Sequence, residues 1–504
     1  MSSRRLFLSA HWVALGIAFL AAIVLSASGC TLNRAGEQEV ALAWERHQTT
    51  MPNRAGAYAA IPATQPTTDS SGTVPGQPAT NLESVDTLRE YIILALENNP
   101  EILKAGEAAR AKAARIPQVT ALPDPMLTTR TLPEPVRTAE GDNYFTLGIS
   151  QRLPLPEKLD RAGKIALQET RGAIAEWEKV RLRVIADVKR AYFQVYVIDR
   201  TVEITRENQQ LLDGLIDVAR GQVAAGKRQQ EDVLRAQVEY SSLEARIIEL
   251  KQSRVSATAM LNMLLNRHPS TPVPSPHTFS IRQLDANLGE LLAKAAEVNP
   301  ELARLRHQID RDKEAVALAR LAYWPDLNLG FEWMSMQPRD AFVPPINPAT
   351  GKRPKVSQMS EEGTDNWGIM IGINVPIWFE KIEAGIREAK RTLAASNHAY
   401  ASAKNMVQFR VADALTNVQA QRELAELFDG SIIPQAQQAY QVSRTGYSAG
   451  RSDFQYVIDN WQKWLMFTIQ YHRAIGALER SVADLEAAIG LSLSELESSS
   501  KTEE

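Results

Sequence analysis

Across residues 158–268 the chain contains no proline, and its apolar residues recur at alternating steps of three and four: Ile185, Val188, Tyr192, Val195, and then Val202 after the interruption at Asp199. Ala, Leu, Glu, Lys, Arg and Gln dominate the stretch, and all are strong helix formers. This spacing predicts the seam of a helix packed on other helices, close to the coiled-coil period. The first stop is Ala224-Ala225-Gly226-Lys227, where Gly226 suits a left-handed C-cap. A single helix from Leu159 to that turn would be roughly 100 Å long, far beyond the ordinary globular helix. The chain then turns back and returns through 233–266.

Elsewhere the period changes to two. Leu327, Leu329, Phe331 and Trp333 fall on one face of a strand, with Asn328, Gly330 and Glu332 on the other. Trp367, Ile369, Ile371 and Ile373 alternate with Gly368, Met370, Gly372 and Asn374, and Phe145, Leu147 and Ile149 alternate with Thr146, Gly148 and Ser150. A fourth, weaker strand falls at 126–132. Polar, proline-rich loops are expected at 133–142 and 337–366. The half-buried strand of a soluble sandwich has the same alternation, but the long helices leave no second sheet to cover faces this rich in Ile and Trp. Lipid would cover the apolar face and water the polar one, the dyad pattern of an outer-membrane barrel. Four strands do not close a barrel, for which about eight is the practical minimum. The chain must therefore share its barrel: two chains would give a side-chain-filled barrel, three a channel.

The landmarks occur twice, which indicates an internal two-fold duplication. Asn99-Pro100-Glu101 is answered by Asn299-Pro300-Glu301. In each, a short helix ends before proline and another begins with Pro and Glu in its first turn. Leu153-Pro154 is answered by Val375-Pro376, each leading into a long helix. The Ala225-Gly226-Lys227 turn followed by Val233-Leu234 is answered by Ala449-Gly450-Arg451 followed by Val457-Ile458. The domain reading is 85–275 for the first repeat and 276–490 for the second, with a frayed tail at 491–504. Pro434, inside the second long helical region, is expected to break a backbone hydrogen bond and bend the helix.

Of the 504 residues, Lys and Arg number 56 and Asp and Glu 59, a net charge of −3 that selects for no nucleic acid. Arg4 and Arg5, then an apolar core at 13–25, read as a signal peptide over 1–29. Cys30, the only cysteine, follows Ala27-Ser28-Gly29 and resembles a bacterial lipoprotein cleavage site, although Ala27 stands where Leu is usual. With Thr31 next, that resemblance implies sorting to the outer membrane. Residues 30–84 are rich in Thr, Pro, Ala, Gly and Ser and read as a lipidated flexible tether. The histidines are scattered without metal-ligand spacing and no phosphate-binding glycine loop occurs, so we assign no reaction, cofactor or metal. Met334, Met336, Met359 and Met370 read as interface or pore-wall residues rather than metal ligands.

The duplicated Asn-Pro-Glu, the strand-to-Pro-to-helix junctions and the duplicated Ala-Gly…Val-(Leu/Ile) turns resemble, as an ordered set, the TolC-like outer-membrane factors of tripartite efflux and type I secretion. The resemblance covers 88–490. It implies a mainly α fold with a small β part: long antiparallel helical hairpins forming an α-barrel, with four strands given to a trimeric transmembrane β-barrel. It also implies a homotrimer, a periplasmic adaptor and an inner-membrane pump as partners, and outer-membrane lipid around the barrel. The segments Ala121-Leu122-Pro123-Asp124-Pro125-Met126 and Asn366-Trp367-Gly368-Ile369 are similar to members paired with heavy-metal pumps. The inner entrance would lie at the hairpin tips. Asp459 falls on one of the family's acidic gate positions, Tyr456 stands where the second acid is expected, and Asp453 or Asp232 would substitute. Gly226, Val233, Gly450 and Val457 mark the tips expected to meet the adaptor. The rival reading is a lipid-anchored periplasmic coiled coil without a pore, which leaves the alternating strands unexplained.

Overall fold

The computed structural model describes residues 38–42, 45, 88–138, 141–275, 287–338, 346–352 and 363–492. The signal peptide, Cys30, most of the tether, the loop methionine Met359 and the tail beyond 492 lie outside them. In order, the elements are α1 (Leu88–Asn98), α2 (Pro100–Ala113), α3 (Arg115–Thr120), β1 (Met126–Thr138), β2 (Gly141–Leu153), α4 (Pro156–Ala224) and α5 (Gln230–Leu264). Then follow α6 (Leu288–Val298), α7 (Pro300–Arg320), β3 (Leu327–Gln337), β4 (Asn366–Ile373), α8 (Phe379–Leu427), α9 (Ile433–Ser448) and α10 (Phe454–Ile489). Helix α4 runs for 69 residues, as its long proline-free stretch predicts. The described residues divide into two compact units: 38–42 with 110–171 and 307–398, and 45 and 88–109 with 172–306 and 399–492.

The first unit carries the sheet. Its order is β1-β2-β3-β4, and every neighbouring pair is antiparallel. The register joins Leu127, Ile149, Phe331 and Ile369 across all four strands, and Leu147, Trp333 and Trp367 in the next apolar row. The predicted apolar residues therefore share one face, where Phe331 stacks on Trp367 at 6.3 Å. Thr128, Gly148, Glu332 and Gly368 form a row of the other face. Met334 pairs with Asn366 on that polar face, and Met370 covers Gly330 there, so both methionines sit in its wall. Strands β1 and β4 each pair on one side only. Ile371 on β4 is 71% exposed.

Two expectations in this unit need correction, and one feature was not foreseen. Most of the loop expected at 133–142 is strand: β1 continues to Thr138 and β2 starts at Gly141. Pro133 and Pro135 concealed this, yet they lie where the β1–β2 register shifts between Thr131 and Val136, on an edge strand that leaves one side unbonded. The tether reading fails at 38–42, which is helical, buries Val40, and places Glu39 against Arg171 of α4. The strand-to-helix junctions have an ionic centre that the prolines did not reveal. Asp326, which is buried, accepts from Lys158 Nζ at 2.7 Å and Arg152 at 2.8 Å, while its backbone N–H donates to the Asn374 side chain. The end of β2 and the start of α4 thus meet at the Asp326 carboxylate, and the end of β4 at its backbone N–H, just ahead of β3.

The second unit is helical. One core gathers Tyr91, Ile102, Trp177, Val188, Tyr192 and Leu261, and another gathers Leu291, Val411, Leu485 and Ile489. The two Asn-Pro-Glu landmarks make matching contacts. Asn99 Oδ1 accepts from Glu101 N at 2.9 Å and its amide donates to Leu264 O at 2.8 Å. Asn299 Oδ1 accepts from Glu301 N at 3.0 Å and its amide donates to Ala488 O at 2.8 Å. Each asparagine caps the helix that follows it and ties down the end of its repeat's last helix. The disturbance expected at Pro434 coincides with an irregular turn of the helix. The helical run continues through it without a break: one π turn at Phe428–Ile432 lies just before Pro434, where a wider turn accommodates the N–H that proline lacks.

Candidate functional site

The two hairpin tips, α4–α5 and α9–α10, lie within the second unit. Both turns close the same way. Gly226 and Gly450 take φ of 69° and 74°, the left-handed region where glycine carries no penalty. Lys227 N donates to Gln222 O at 3.0 Å and Arg451 N to Gly446 O at 2.8 Å, the six-to-one bond of a Schellman cap. Val233 and Val457 are both buried, in a core with Tyr447, Phe454, Ile458 and Trp461. Their side chains therefore hold the turns together from inside and offer no contact surface. Ala224, Ala225, Gly226 and Lys227 on one tip, and Ser448, Ala449, Gly450 and Arg451 on the other, are exposed.

Charged and hydroxyl groups join the tips. Arg228 donates to Asp453 Oδ1 at 3.1 Å and to Ser452 O at 2.6 Å, and its guanidinium lies 5.2 Å from the Tyr447 ring centre. The Tyr447 hydroxyl donates to Asp232 at 3.0 Å, and Gln222 donates to Ser448 O at 3.2 Å. Burial, with the Asp232 carboxylate beside it, pushes the Tyr447 hydroxyl well above the usual tyrosine range, so it remains a donor. Deeper in the tip core, Trp461 Nε1 donates to the buried Asn208 at 2.9 Å.

Of the predicted gate residues, Asp453 is the N-cap of α10 yet makes no capping bond, its carboxylate being turned to Arg228. Asp459 accepts from Gln455 Nε2 at 2.8 Å, and Tyr456 is 61% exposed one helical turn earlier. Asp232, the other candidate acid, is engaged by Tyr447. Within one chain the structure thus separates Asp453 and Asp232, which are tied into the tip, from the half-buried Asp459, held by Gln455 of its own helix, and the exposed Tyr456. Among the described residues no cluster of three or more His, Cys, Asp or Glu is placed to hold a metal.

A family model described as outer membrane efflux protein matches residues 92–267 and 291–491. The chain belongs to that family. Efflux-family relatives include the cobalt-zinc-cadmium resistance protein CzcC of Cupriavidus metallidurans, 22% identical over 408 residues, which cover 80% of this chain and 90% of CzcC. Among solved structures, CusC aligns with a TM-score of 0.67 at 17% identity, over 81% of this chain and 93% of its own. The outer membrane protein VceC of Vibrio cholerae aligns with a TM-score of 0.64 at 18% identity, over 80% and 96%. The mainly helical, TolC-like fold expected from the sequence is the one these neighbours have.

The tip lock of this efflux protein escaped the sequence reading because its members have unlike repeat mates. Aligning Gly226 with Gly450 sets Arg228 against Ser452, Tyr447 against Val223, and Asp232 against Tyr456. A search for repeated residues passes over all of them; the signal lay in where the halves differ.

Proposed function

We propose that three copies of this chain close one barrel and form the exit duct of a tripartite efflux system in a Gram-negative-type outer membrane. In this reading a periplasmic adaptor and an inner-membrane pump deliver cargo to the hairpin tips, and Cys30 carries the lipid anchor. The observation that carries the reading is the four-stranded sheet with an exposed apolar face and unpaired edges on β1 and β4. In lipid every unpaired backbone group costs several kcal/mol, so the edges must find partners in other copies. Exposed seams on the helices support the same assembly. Leu234, Val238, Ile248 and Val255 recur at coiled-coil spacing along α5, and Phe409, Leu424 and Leu427 lie on α8. The name of CzcC motivates divalent metal ions as the cargo class.

At the tips, the exposed turn residues around Gly226 and Gly450 are the adaptor contact, and the Arg228–Asp453 and Tyr447–Asp232 pairs hold the entrance closed. Asp459 of three chains would present like carboxylates to one aqueous constriction, attracting cations. Single-channel recording in planar bilayers tests this. The assembly conducts, and a trivalent cation on the entrance side blocks it; Asp459→Ala keeps the pore and loses the block. Absence of conductance overturns the duct, and an equal block in the variant places the acidic ring elsewhere.

A further inference from the structure

The exposed turns of the two tips carry charge that the tips themselves do not use. Lys227 and Arg451 each follow the turn glycine, and the backbone N–H of each closes its turn. Their backbones are therefore fixed, while their exposed side chains make no hydrogen bond or ion pair among the described residues. The acids nearby are all engaged: Glu231 by Arg235 at 2.9 Å, Asp232 by the Tyr447 hydroxyl, and Asp453 by Arg228. Arg444 lies over the Tyr440 ring, 5.8 Å from its centre. Residues 222–235 and 444–456 together hold five cations against three acids, in a chain whose net charge is −3. Small exposed residues precede each free cation, Ala224-Ala225-Gly226 and Ser448-Ala449-Gly450, and another backbone can come close over them.

We propose that Lys227 and Arg451 are a docking pair for carboxylates, and that the protein seated on the tips presents Asp and Glu side chains to them. This names the chemistry of the adaptor contact and rests on that reading. Two free cations per chain become six around the entrance of the proposed assembly of three. Such a ring steers an acidic surface toward the tips and repels a basic one. A basic partner would set like charges against each other, and a neutral one would strip water from the two cations without supplying a counterion; both cost binding. Anionic lipid headgroups would satisfy the same cations, and the experiment separates them from a protein.

The test places a photo-crosslinking amino acid at Ala225 or at Ser448 of the full-length chain in cells. The captured protein and its contact peptide are identified by mass spectrometry, and the yield of heat-resistant oligomer is measured in parallel. The contact peptide is expected to be rich in Asp and Glu. Lys227→Glu with Arg451→Glu should lower the crosslink yield by about tenfold, and Lys227→Arg with Arg451→Lys should keep it. In isolated envelopes, raising salt from about 0.1 M to about 1 M cuts the screening length from about 10 Å to about 3 Å and should lower the yield as well. A contact peptide without acids, or a yield unmoved by the double reversal, overturns the docking pair and leaves the tips as the adaptor contact. Capture of lipid alone, or of nothing, by a chain that forms its oligomer overturns both. Loss of the oligomer in the double reversal would make Lys227 and Arg451 part of what holds the fold, which also overturns the docking pair.

Discussion

The Tyr447 hydroxyl is the part of the tip that one atom can remove. Tyr447→Phe keeps the ring packed against Phe454, at 5.1 Å between centres, and beneath the Arg228 guanidinium, but takes the donor from Asp232. A hydrogen bond to a charged acceptor is worth about 1.5–3 kcal/mol, so the open fraction of the channel should rise by about tenfold or more, read as longer open dwell times in single-channel records. Arg228→Ala should act in the same direction, with under about 1 kcal/mol coming from the largely exposed Asp453 pair and the rest from the lost bond to Ser452 O. Glu301 gives a prediction in pH. Burial alone would raise its carboxyl, but hydrogen bonds from Arg304 at 2.8 Å and Lys179 at 2.7 Å outweigh burial and hold it down at about 2. A carboxyl held low in the folded state contributes stability in full above its unfolded value near 4.5, and loses it as pH falls toward 2. The wild-type unfolding midpoint should therefore exceed that of Glu301→Gln at pH 6 and converge with it by pH 2.

Among the elements, the strands give the sharpest contrast because neighbouring positions face opposite ways. Ile371 lies opposite Leu329 on the apolar face, and Gly372 lies opposite Asn328 on the polar one. A Cβ on Gly372 would meet Asn328 Cβ at 3.7 Å, an ordinary contact, so a side chain fits there. Ile371→Lys should cost about 2–4 kcal/mol at mid-bilayer and lower the yield of assembled protein, whereas Gly372→Lys should assemble normally. Equal losses on the two faces would contradict the orientation of the sheet. These faces were legible in the sequence because a period of two needs no partner to be read, and so was α4, whose three-and-four seam resumes after Asp199 in a proline-free run that reaches Gly226. The second half of β1 was not legible, since Pro133 and Pro135 speak against strand unless the edge position and the register shift are known. Residues 38–42 looked like tether because one salt bridge and one buried valine leave no periodic trace. The tip turns were legible from Gly226 and Gly450, but the Arg228–Tyr447–Asp232 lock depends on contacts between distant segments that share no repeated residue.

For the molecule as a whole, the edges of the sheet decide what it must assemble with. Among the described residues, a meander whose outer strands β1 and β4 each lack a neighbour on one side, with an apolar face open to its surroundings, leaves edges that a single chain does not cover. The exposed seams on α5 and α8 pose the same demand in the helical unit. In the proposed assembly, additional copies of the chain would meet both demands at once, and three of them would supply enough strands to enclose water. The most direct test is the mass of the assembly extracted from the outer membrane in mild detergent. The account predicts three chains, with the helical and sheet signals retained. A stable, folded species of one or two chains under those conditions would contradict it.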